Sequence, residues 1–388
     1  MKITVVSDVL GEENNGTTIA AYNLIRYLKK QGHEVKVLCS DQSKIGEEGF
    51  FVVPNLHLIK PLDNYLKKVG VALSKPQKEI VEAALDGAEH VHSILPFALG
   101  KMAMEVAHEK GIGVTAGFHM QAENFTSHVK LNKVQPVNKL VYKYIYNGFY
   151  KYVDGVHYPT QFIRETFEKE VKAKTNGYVI SNGVHAYVQR KKVEKPDEYK
   201  DKIVILSVGR LSREKSQDTL LKAVAYSKYK DKIQIILGGQ GQKEKAYKKL
   251  AKKLPVAPVM KFFAREEMID VLNYADIYAH PAEVELEGIA CLEAIACGKL
   301  VIVSDSKLSA TRHFAVDERC VFENRNPKDL ARVLDYWIEH PEEKEAVEQK
   351  YLDESVAFEQ EECMKRMEEM IYEVMQKNKE KSEEKACD

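Results

Sequence analysis

Two acidic residues in the C-terminal half of the chain have a spacing that suits the binding of a nucleoside diphosphate. Glu285 and Glu293 enclose seven residues in the run ELEGIACLE, and Gly288 lies between them. The apolar residues after Gly288 predict a helix ending at Gly298, and the first N–H groups of a helix have no partner within it. Such groups attract phosphate, and a carboxylate inside the helix can bind the paired hydroxyls of a ribose. We therefore place the chemistry in residues 277–304.

A second polar run, GRLSREKS, follows an apolar segment that predicts a strand over 203–208. It places Arg210 and Lys215 in one loop, where two cations can neutralise a diphosphate without a metal ion. A charged pair in a loop can equally face solvent, so these residues alone leave both interpretations open. The chain has no Asp-x-Asp motif, and we expect neither a metal ion nor another cofactor.

The elements that carry these residues alternate between strand and helix patterns, which is typical of an α/β protein. Strands are predicted at 2–6, 34–38, 91–94, 112–118, 156–159 and 179–181, and again at 203–208, 233–237, 259–263, 277–280 and 300–304. We therefore predict two Rossmann-like domains, over 1–185 and 202–345, with a linker at 186–201. Residues 346–377 are predicted as C-terminal helices, the last packing back on the first domain, and 378–388 as a disordered tail.

Composition limits the function classes and the location. Lysine plus arginine and aspartate plus glutamate both number 58, so there is no charge excess of the kind that nucleic-acid binding requires. The chain starts directly with a predicted strand, and no apolar run reaches the length of a membrane span. The six cysteines lack the spacing of a zinc site. We expect a reduced, cytoplasmic protein.

One segment of the first half is both basic and aromatic. Residues 125–153 contain five lysines, seven aromatic residues and no acidic residue. Helical spacing predicts a core stripe of Val141, Ile145, Phe149 and Val153. A second stripe combines tyrosines with lysines: Tyr142, Tyr146, Tyr150, Lys139, Lys143 and Lys151. That face suits an anionic membrane surface, although a solvated helix face with long side chains fits the same pattern.

Two residues of the first half are further candidates. Gly16 stands at the start of a predicted helix, where it would let a ligand approach the backbone closely, or would serve as a plain turn. His119 follows a predicted strand directly, and a single histidine there can be structural or catalytic. The dinucleotide fingerprint G-x-G-x-x-G is missing from this region, which argues against a nicotinamide or flavin site.

The order GRLSREK, GGQGQ, KFFA and ELEGIACLEA resembles the retaining glycosyltransferases of family 4, which have the GT-B fold of two Rossmann-like domains with parallel sheets facing a central cleft. By this resemblance Glu285 contacts the donor sugar, Glu293 holds the ribose, and Arg210 and Lys215 bind the diphosphate. Gly16 matches the N-terminal loop glycine, and His119 matches a histidine with a catalytic role. The phosphate-binding amides match Gly288, Ile289 and Ala290, and Ala264 matches a residue near the base.

The resemblance implies a metal-independent, retaining hexosyltransferase that uses a UDP-sugar. The basic segment and the run 306–324 resemble bacterial diacylglycerol glucosyltransferases, so we expect a lipid acceptor and a peripheral position on the inner face of the membrane. A polysaccharide or soluble acceptor, a UDP-sugar epimerase and a non-catalytic sugar-nucleotide sensor are the alternatives. Glu287 replaces an aromatic residue that is frequent in the family and adds negative charge beside the expected diphosphate.

Overall fold

The computed structural model describes residues 1–8, 10–11, 16–56, 73–127 and 134–387, apart from the side chains of 125, 127 and 381–387. These residues form two compact units, each with its own parallel sheet. The first unit contains the described residues up to 122, then 134–182 and those from 361 onward. The second contains 123–127 and 183–360.

The first unit is built on a seven-stranded sheet in the order β3-β2-β1-β4-β5-β6-β7. Its strands are β1 (Lys2–Ser7), β2 (Glu34–Cys39), β3 (Phe50–Val52), β4 (His90–Ser93), β5 (Gly113–Gly117), β6 (Gly155–Tyr158) and β7 (Gly177–Val179). The first helices of the chain are α1 (Gly16–Lys30), α2 (Lys78–Ala84), α3 (Ala98–Glu109), α4 (Ala122–Ser127), α5 (Gln135–Ile145) and α6 (Gln161–Val171). Every described strand pair of this sheet is parallel.

The second unit has a six-stranded sheet in the order β10-β9-β8-β11-β13-β15 and a short pair, β12 with β14. The strands are β8 (Ile203–Val208), β9 (Ile233–Gly238), β10 (Val259–Lys261), β11 (Ile277–His280), β12 (Val284–Glu285), β13 (Val301–Ser304), β14 (Leu308–Ser309) and β15 (Val321–Phe322). The helices are α7 (Gln217–Val224), α8 (Glu244–Ala251), α9 (Arg265–Tyr274), α10 (Ile289–Ala296), α11 (Pro327–Glu339) and α12 (Pro341–Ser355).

The central strands of both sheets are apolar along their whole length because helices can cover both faces of a parallel sheet. In β8, Val204, Ile205 and Leu206 are fully buried. The order of the second sheet reverses between β8 and β11, which pair through Ile277 with Ile205. Ligands of open parallel sheets bind at such a reversal, outside the carboxyl ends of the strands. The α/β architecture with two parallel sheets agrees with the prediction.

The final helix, α13 (Gln360–Cys387), contributes to the core of the first unit. Met364, Met367 and Ile371 are buried there, and Nε2 of His33 lies 2.6 Å from Oε1 of Glu368. The predicted disordered tail at 378–388 differs from the structure, because the helix continues to Cys387. Residues 186–201, predicted as a linker, lie within the second unit.

The predicted tyrosine face of the basic segment is wrong for Tyr142 and Tyr150, which are buried. Both rings pack against Phe167 of α6, at centroid distances of 5.8 and 5.4 Å. The helix changes its winding after α5, where a π-helical turn covers Tyr146–Tyr150. Lys151 N donates to Tyr146 O at 2.9 Å, five residues back. Because a π turn shifts the side-chain register, the regular helical spacing assumed from the sequence does not hold here.

The rest of this segment divides between core and surface. Lys143 and Lys151 are exposed, whereas Lys139 and Tyr146 are partly buried. The apolar surface comes from residues outside the predicted stripe, since Leu140 is 69% exposed and Tyr144 78%. Residues 128–133 of the segment lie outside the described residues. The exposed side of the helix is thus still basic and aromatic, but its residues differ from those predicted.

Candidate functional site

Two glycine-rich loops of the second unit form the base of the candidate site. Gly239 lies so close to the loop after β8 that an added Cβ would meet Gly209 O at 2.2 Å. Its φ of 149° is also one that favours glycine. Leu211 N donates to Gln240 O at 2.9 Å, and Lys243 N donates to Leu211 O at 2.8 Å. These contacts fix the backbone of the loop that carries Arg210 and Lys215.

Glu285 and Lys215 meet at the reversal point of the second sheet. The Lys215 ammonium forms an ion pair with Oε2 of Glu285, and both side chains are largely buried. Nε2 of His280, at the end of β11, lies 3.1 Å from the same carboxylate oxygen. Nδ1 of His280 lies 3.1 Å from the hydroxyl of Tyr278. The structure therefore places two residues singled out in the sequence, Lys215 and Glu285, in direct contact.

The protonation states of this cluster follow from its contacts. Burial works to raise the pKa of Glu285, but Lys215 and the hydrogen bond from His280 outweigh it and lower the pKa to about 2. Burial lowers the pKa of His280 and raises that of Tyr278, so both are neutral near pH 7. A neutral imidazole donates through one nitrogen only. His280 therefore donates through Nε2 to the carboxylate and accepts at Nδ1 from Tyr278.

Glu293 lies on helix α10 and has a different partner. Its Oε1 is 2.9 Å from Nη1 of Arg265, the first residue of α9. Burial raises the pKa of Glu293, and Arg265 opposes that shift. Ala264, predicted near the base, is the exposed residue before Arg265. Glu285 and Glu293 thus belong to separate ion pairs of the second unit.

The start of α10 has the backbone that anion binding requires. Gly288 is buried with φ of 91°, and a Cβ there would lie 2.6 Å from Cγ2 of Thr311. Ile289 and Ala290 follow as the first helical residues and are partly accessible. Their N–H groups belong to the first turn, which has no acceptor within the helix. Glu287 is buried, with 3% of its surface exposed, so its carboxylate does not extend into solvent.

Arg210 has a more open position than Lys215. Its side chain is 55% exposed, and Nη2 lies 3.5 Å from Oε1 of the buried Glu214. Gln217 donates from Nε2 to the Arg210 backbone carbonyl at 2.9 Å. An exposed guanidinium on a fixed backbone can move to a ligand at low cost, since only its side-chain torsions change.

Arg325, which is partly buried, supports the loop from behind, and no pattern in the sequence indicated it. Nη2 of Arg325 lies 2.7 Å from Oε2 of Glu283 and donates to Arg213 O at 3.1 Å. Glu283 N in turn donates to Glu214 O at 2.8 Å. Arg325 therefore ties the Lys215 loop to the segment that leads into Glu285. Arg265 and His280 were missed as well; His280 ends a buried strand, the same signal that singled out His119.

The first unit holds the other two predicted residues, Gly16 and His119. Gly16 is exposed and begins α1. His119 is partly buried after β5, with its ring 5.6 Å from that of His157. Burial and His157 lower the pKa of His119 to about 3. The imidazole is therefore neutral near pH 7.

The hydroxyl of Thr115 joins two further histidines of the first unit. It lies 2.8 Å from Nε2 of His90 and 2.9 Å from Nδ1 of His92.

Within the described residues, no group of acidic, histidine or cysteine side chains has the arrangement of a metal site. Every helix in the described ranges is too short or too polar to span a bilayer.

Comparison with known proteins identifies the family. The model of Glycosyltransferase Family 4 matches residues 14–186, and that of Glycosyl transferases group 1 matches 188–351. The chain belongs to the family 4 glycosyltransferases. It is 25% identical over 319 residues to the alpha-monoglucosyldiacylglycerol synthase of Streptococcus pneumoniae, covering 78% of this chain and 70% of that protein. The Acholeplasma laidlawii protein of the same name is 23% identical over 377 residues, covering 88% and 89%.

Solved structures of other proteins share the fold. Sucrose-phosphate synthase from Thermosynechococcus elongatus superposes with a TM-score of 0.75 and 16% identity, covering 96% of this chain and 98% of that one. HepE from Anabaena, in complex with UDP, gives 0.74 and 14%, covering 96% and 100%. The two Rossmann-like units thus have the GT-B fold expected from the sequence.

Proposed function

We propose that this glycosyltransferase moves a hexose, with glucose favoured, from a UDP-sugar to a lipid such as diacylglycerol. The observation that carries the donor assignment is the Lys215–Glu285 pair beside the start of α10, with Glu293 further along that helix. Two relatives are named alpha-monoglucosyldiacylglycerol synthase, which supports glucose and a lipid acceptor. HepE, which has the same fold, has been solved with UDP and with UDP-glucose.

In the proposed reaction the main barrier is the departure of UDP. The bond between the sugar C1 and the β-phosphate oxygen breaks while C1 bonds to the acceptor hydroxyl oxygen on the same face. The acceptor proton moves to the leaving phosphate oxygen. The configuration is retained because the acceptor attacks C1 on the face from which UDP departs. Lys215, Arg210 and the N–H groups of Gly288, Ile289 and Ala290 stabilise the charge on the phosphate. These groups make a metal ion unnecessary.

The two acids have separate roles in this proposal. Glu285 is ionised, because Lys215 and His280 hold its pKa at about 2, and it accepts hydrogen bonds from hydroxyls of the transferred sugar. Glu293 accepts from the ribose hydroxyls. When a diphosphate binds, Lys215 shares its three N–H donors between Glu285 and the phosphate. His119 of the first unit keeps the catalytic role that the resemblance implies.

The test uses the purified full chain with UDP-glucose, UDP-galactose and UDP-N-acetylglucosamine, each with and without diacylglycerol vesicles. We expect glucose transfer to the lipid with an α-linked product, at the same rate in EDTA. Transfer that stops in chelator and returns with Mg²⁺ would contradict the metal-independent reaction. Transfer only to soluble acceptors would contradict the lipid acceptor, and epimerised or unreacted donor would contradict the transferase proposal.

The exposed basic face of α5 and the turn after it is the proposed contact with an anionic membrane. Lys143 and Lys151 are exposed on this face. Three apolar or aromatic side chains lie beside them and are each at least half exposed: Leu140, Tyr144 and Tyr152. Aromatic rings tolerate the headgroup region, and each lysine near an anionic surface contributes about 1 kcal/mol. Replacing Lys139, Lys143 and Lys151 with glutamate should release the protein from phosphatidylglycerol vesicles in co-sedimentation.

A matched control replaces Lys245, Lys249 and Lys252, exposed lysines of the second unit, with glutamate. This variant changes the net charge equally and should still sediment with the vesicles. Equal sedimentation of both triple variants, or of wild type on neutral and anionic vesicles, would contradict the membrane contact. UDP binding measured by calorimetry should be unchanged in both.

A further inference from the structure

Arg265 of the second unit is held by three contacts. Its Nη1 lies 2.9 Å from Oε1 of Glu293. Its Nε donates to the hydroxyl of Tyr187 at 3.2 Å, and its Cζ lies 5.5 Å from the centre of that ring. Tyr187 stacks on His185 with centroids 4.8 Å apart. The guanidinium is therefore fixed by an ion pair, a contact at its edge and a contact at its face.

The Glu293 carboxylate depends on this partner because it is buried. Its side chain is 9% exposed, whereas that of Arg265 is 40% exposed. Burial favours the neutral acid and raises the pKa of Glu293, and Arg265 works against that shift. The other titratable groups that feel Glu293 are Tyr278 of β11 and Cys297 after α10, and burial raises the pKa of both. Both are neutral near pH 7, so the positive charge facing Glu293 in the described part of the chain is that of Arg265.

We propose that Arg265, fixed by Tyr187, is a positioning residue that keeps Glu293 in the carboxylate form required to bind the ribose of the donor. This inference rests on the proposed function, in which Glu293 is the ribose-binding acid. An ionised carboxylate has lone pairs for Arg265 and for two hydroxyl donors, whereas the protonated acid replaces an acceptor site with a donor. Arg265 thus determines the pH range in which the nucleoside part of the donor binds.

The test is the pH dependence of donor binding in the Arg265→Gln variant. Calorimetry with UDP-glucose runs from about pH 5.5 to about pH 8.5, because a diphosphate esterified at both ends lacks the terminal phosphate group that titrates near pH 6. In wild type any loss of affinity should begin at a lower pH than in the variant, because Arg265 opposes the upward shift of the Glu293 pKa. Without Arg265 the pKa of Glu293 rises further, so affinity should fall by up to about tenfold per pH unit below that pKa.

Three further variants complete the comparison. Arg265→Lys keeps the charge and should keep the pH profile of wild type at a lower affinity. Tyr187→Phe removes the hydroxyl contact but keeps the ring, and should give a weaker pH dependence than Arg265→Gln. Arg332→Gln removes an exposed arginine that pairs with Asp329 on α11, and should behave as wild type. If circular dichroism shows that Arg265→Gln does not fold, the pH dependence of affinity in Arg265→Lys and Tyr187→Phe tests the positioning role instead.

The outcomes separate this inference from the proposed function. Wild-type affinity in Arg265→Gln, or an equal loss at every pH, would overturn the positioning role. Glu293→Gln should lose affinity by the same factor at every pH, since an amide does not titrate. If Glu293→Gln binds UDP-glucose as wild type does, the ribose assignment itself fails. If Glu293→Gln is weak while Arg265→Gln is normal, only the role of Arg265 fails.

Discussion

The two units differ in their most prominent buried polar side chains. In the first unit His90, His92 and His157 are buried and burial lowers their pKa values, so they are neutral near pH 7. In the second unit the buried acids Glu285 and Glu293 are held by cations instead. Each unit also buries a residue of the other kind, since Glu168 of the first unit pairs with Arg164 and Lys174, and His280 of the second unit is neutral. Both sheets are parallel, so the architecture does not set this difference.

The contrast indicates how the proposed reaction is divided between the units. A nucleoside diphosphate brings negative charge and needs cations and helix N–H groups, which the second unit supplies. A hydroxyl acceptor is uncharged and can be served by a neutral hydrogen-bonding group such as His119, which is partly buried in the first unit. We therefore expect acid to weaken the first unit through its histidines, and loss of a cation to impair the second unit in its chemistry.

Protonation of the buried histidines should have the largest effect. Burial lowers the pKa of His90 and His157 from 6.5 to about 4. Between these two pKa values the unfolded chain binds more protons than the folded chain. The stability that the neutral histidines provide is therefore complete above pH 6.5 and is lost as pH falls toward 4. The loss is roughly 3 kcal/mol for each histidine. Urea unfolding followed by circular dichroism at several pH values measures it.

Two variants make that measurement specific. His157→Gln should lose less unfolding free energy than wild type between neutral and acidic pH. His108→Gln, at an exposed position on α3, should lose as much as wild type. Identical pH slopes for wild type and His157→Gln would contradict the view that the first unit depends on neutral histidines.

Replacing Lys215 with alanine probes the charged side of the comparison. The variant removes the cation nearest Glu285. We expect the transition-state stabilisation measured by kcat/KM to fall by on the order of 2–4 kcal/mol, as for other lost contacts to developing charge. Arg210→Ala should also lower kcat/KM. Lys222→Ala, which removes an exposed lysine paired with Asp218 at 2.6 Å, is the control. Wild-type turnover in Lys215→Ala would remove Lys215 from the diphosphate role.

The core of the second unit follows closely from the sequence. The predicted bounds of β8 and β11 agree with the structure, because strands buried on both faces appear as unbroken apolar runs. Adjacent parallel strands also bring the loops after them to one edge, which is why Lys215 and Glu285 could be expected near each other. Arg325 had no such signal, since it follows β15, which is not a neighbour of β8 or β11 in the sheet. Its contact with Glu283 is set by tertiary packing.

The basic segment of the first unit shows where helical periodicity misleads. The spacing of Tyr142, Tyr146 and Tyr150 predicted one continuous surface stripe. In the structure Phe167 packs against Tyr142 and Tyr150, and Tyr150 donates its hydroxyl to Gly117 O at 2.8 Å. A tyrosine can be a core residue when its hydroxyl has a buried acceptor. Neither that acceptor nor the π turn has a local sequence signature.

The division of roles between the units is tested most directly by titrating UDP into Glu293→Gln and His119→Gln, with glucose transfer assayed on the same samples. Hydrogen bonds to a charged group are worth about 1.5–3 kcal/mol, so Glu293→Gln should weaken UDP binding by about tenfold or more. His119→Gln should bind UDP as wild type does, while its transfer rate falls. Unchanged UDP affinity in Glu293→Gln, or an equal loss of UDP affinity in His119→Gln, would contradict the account.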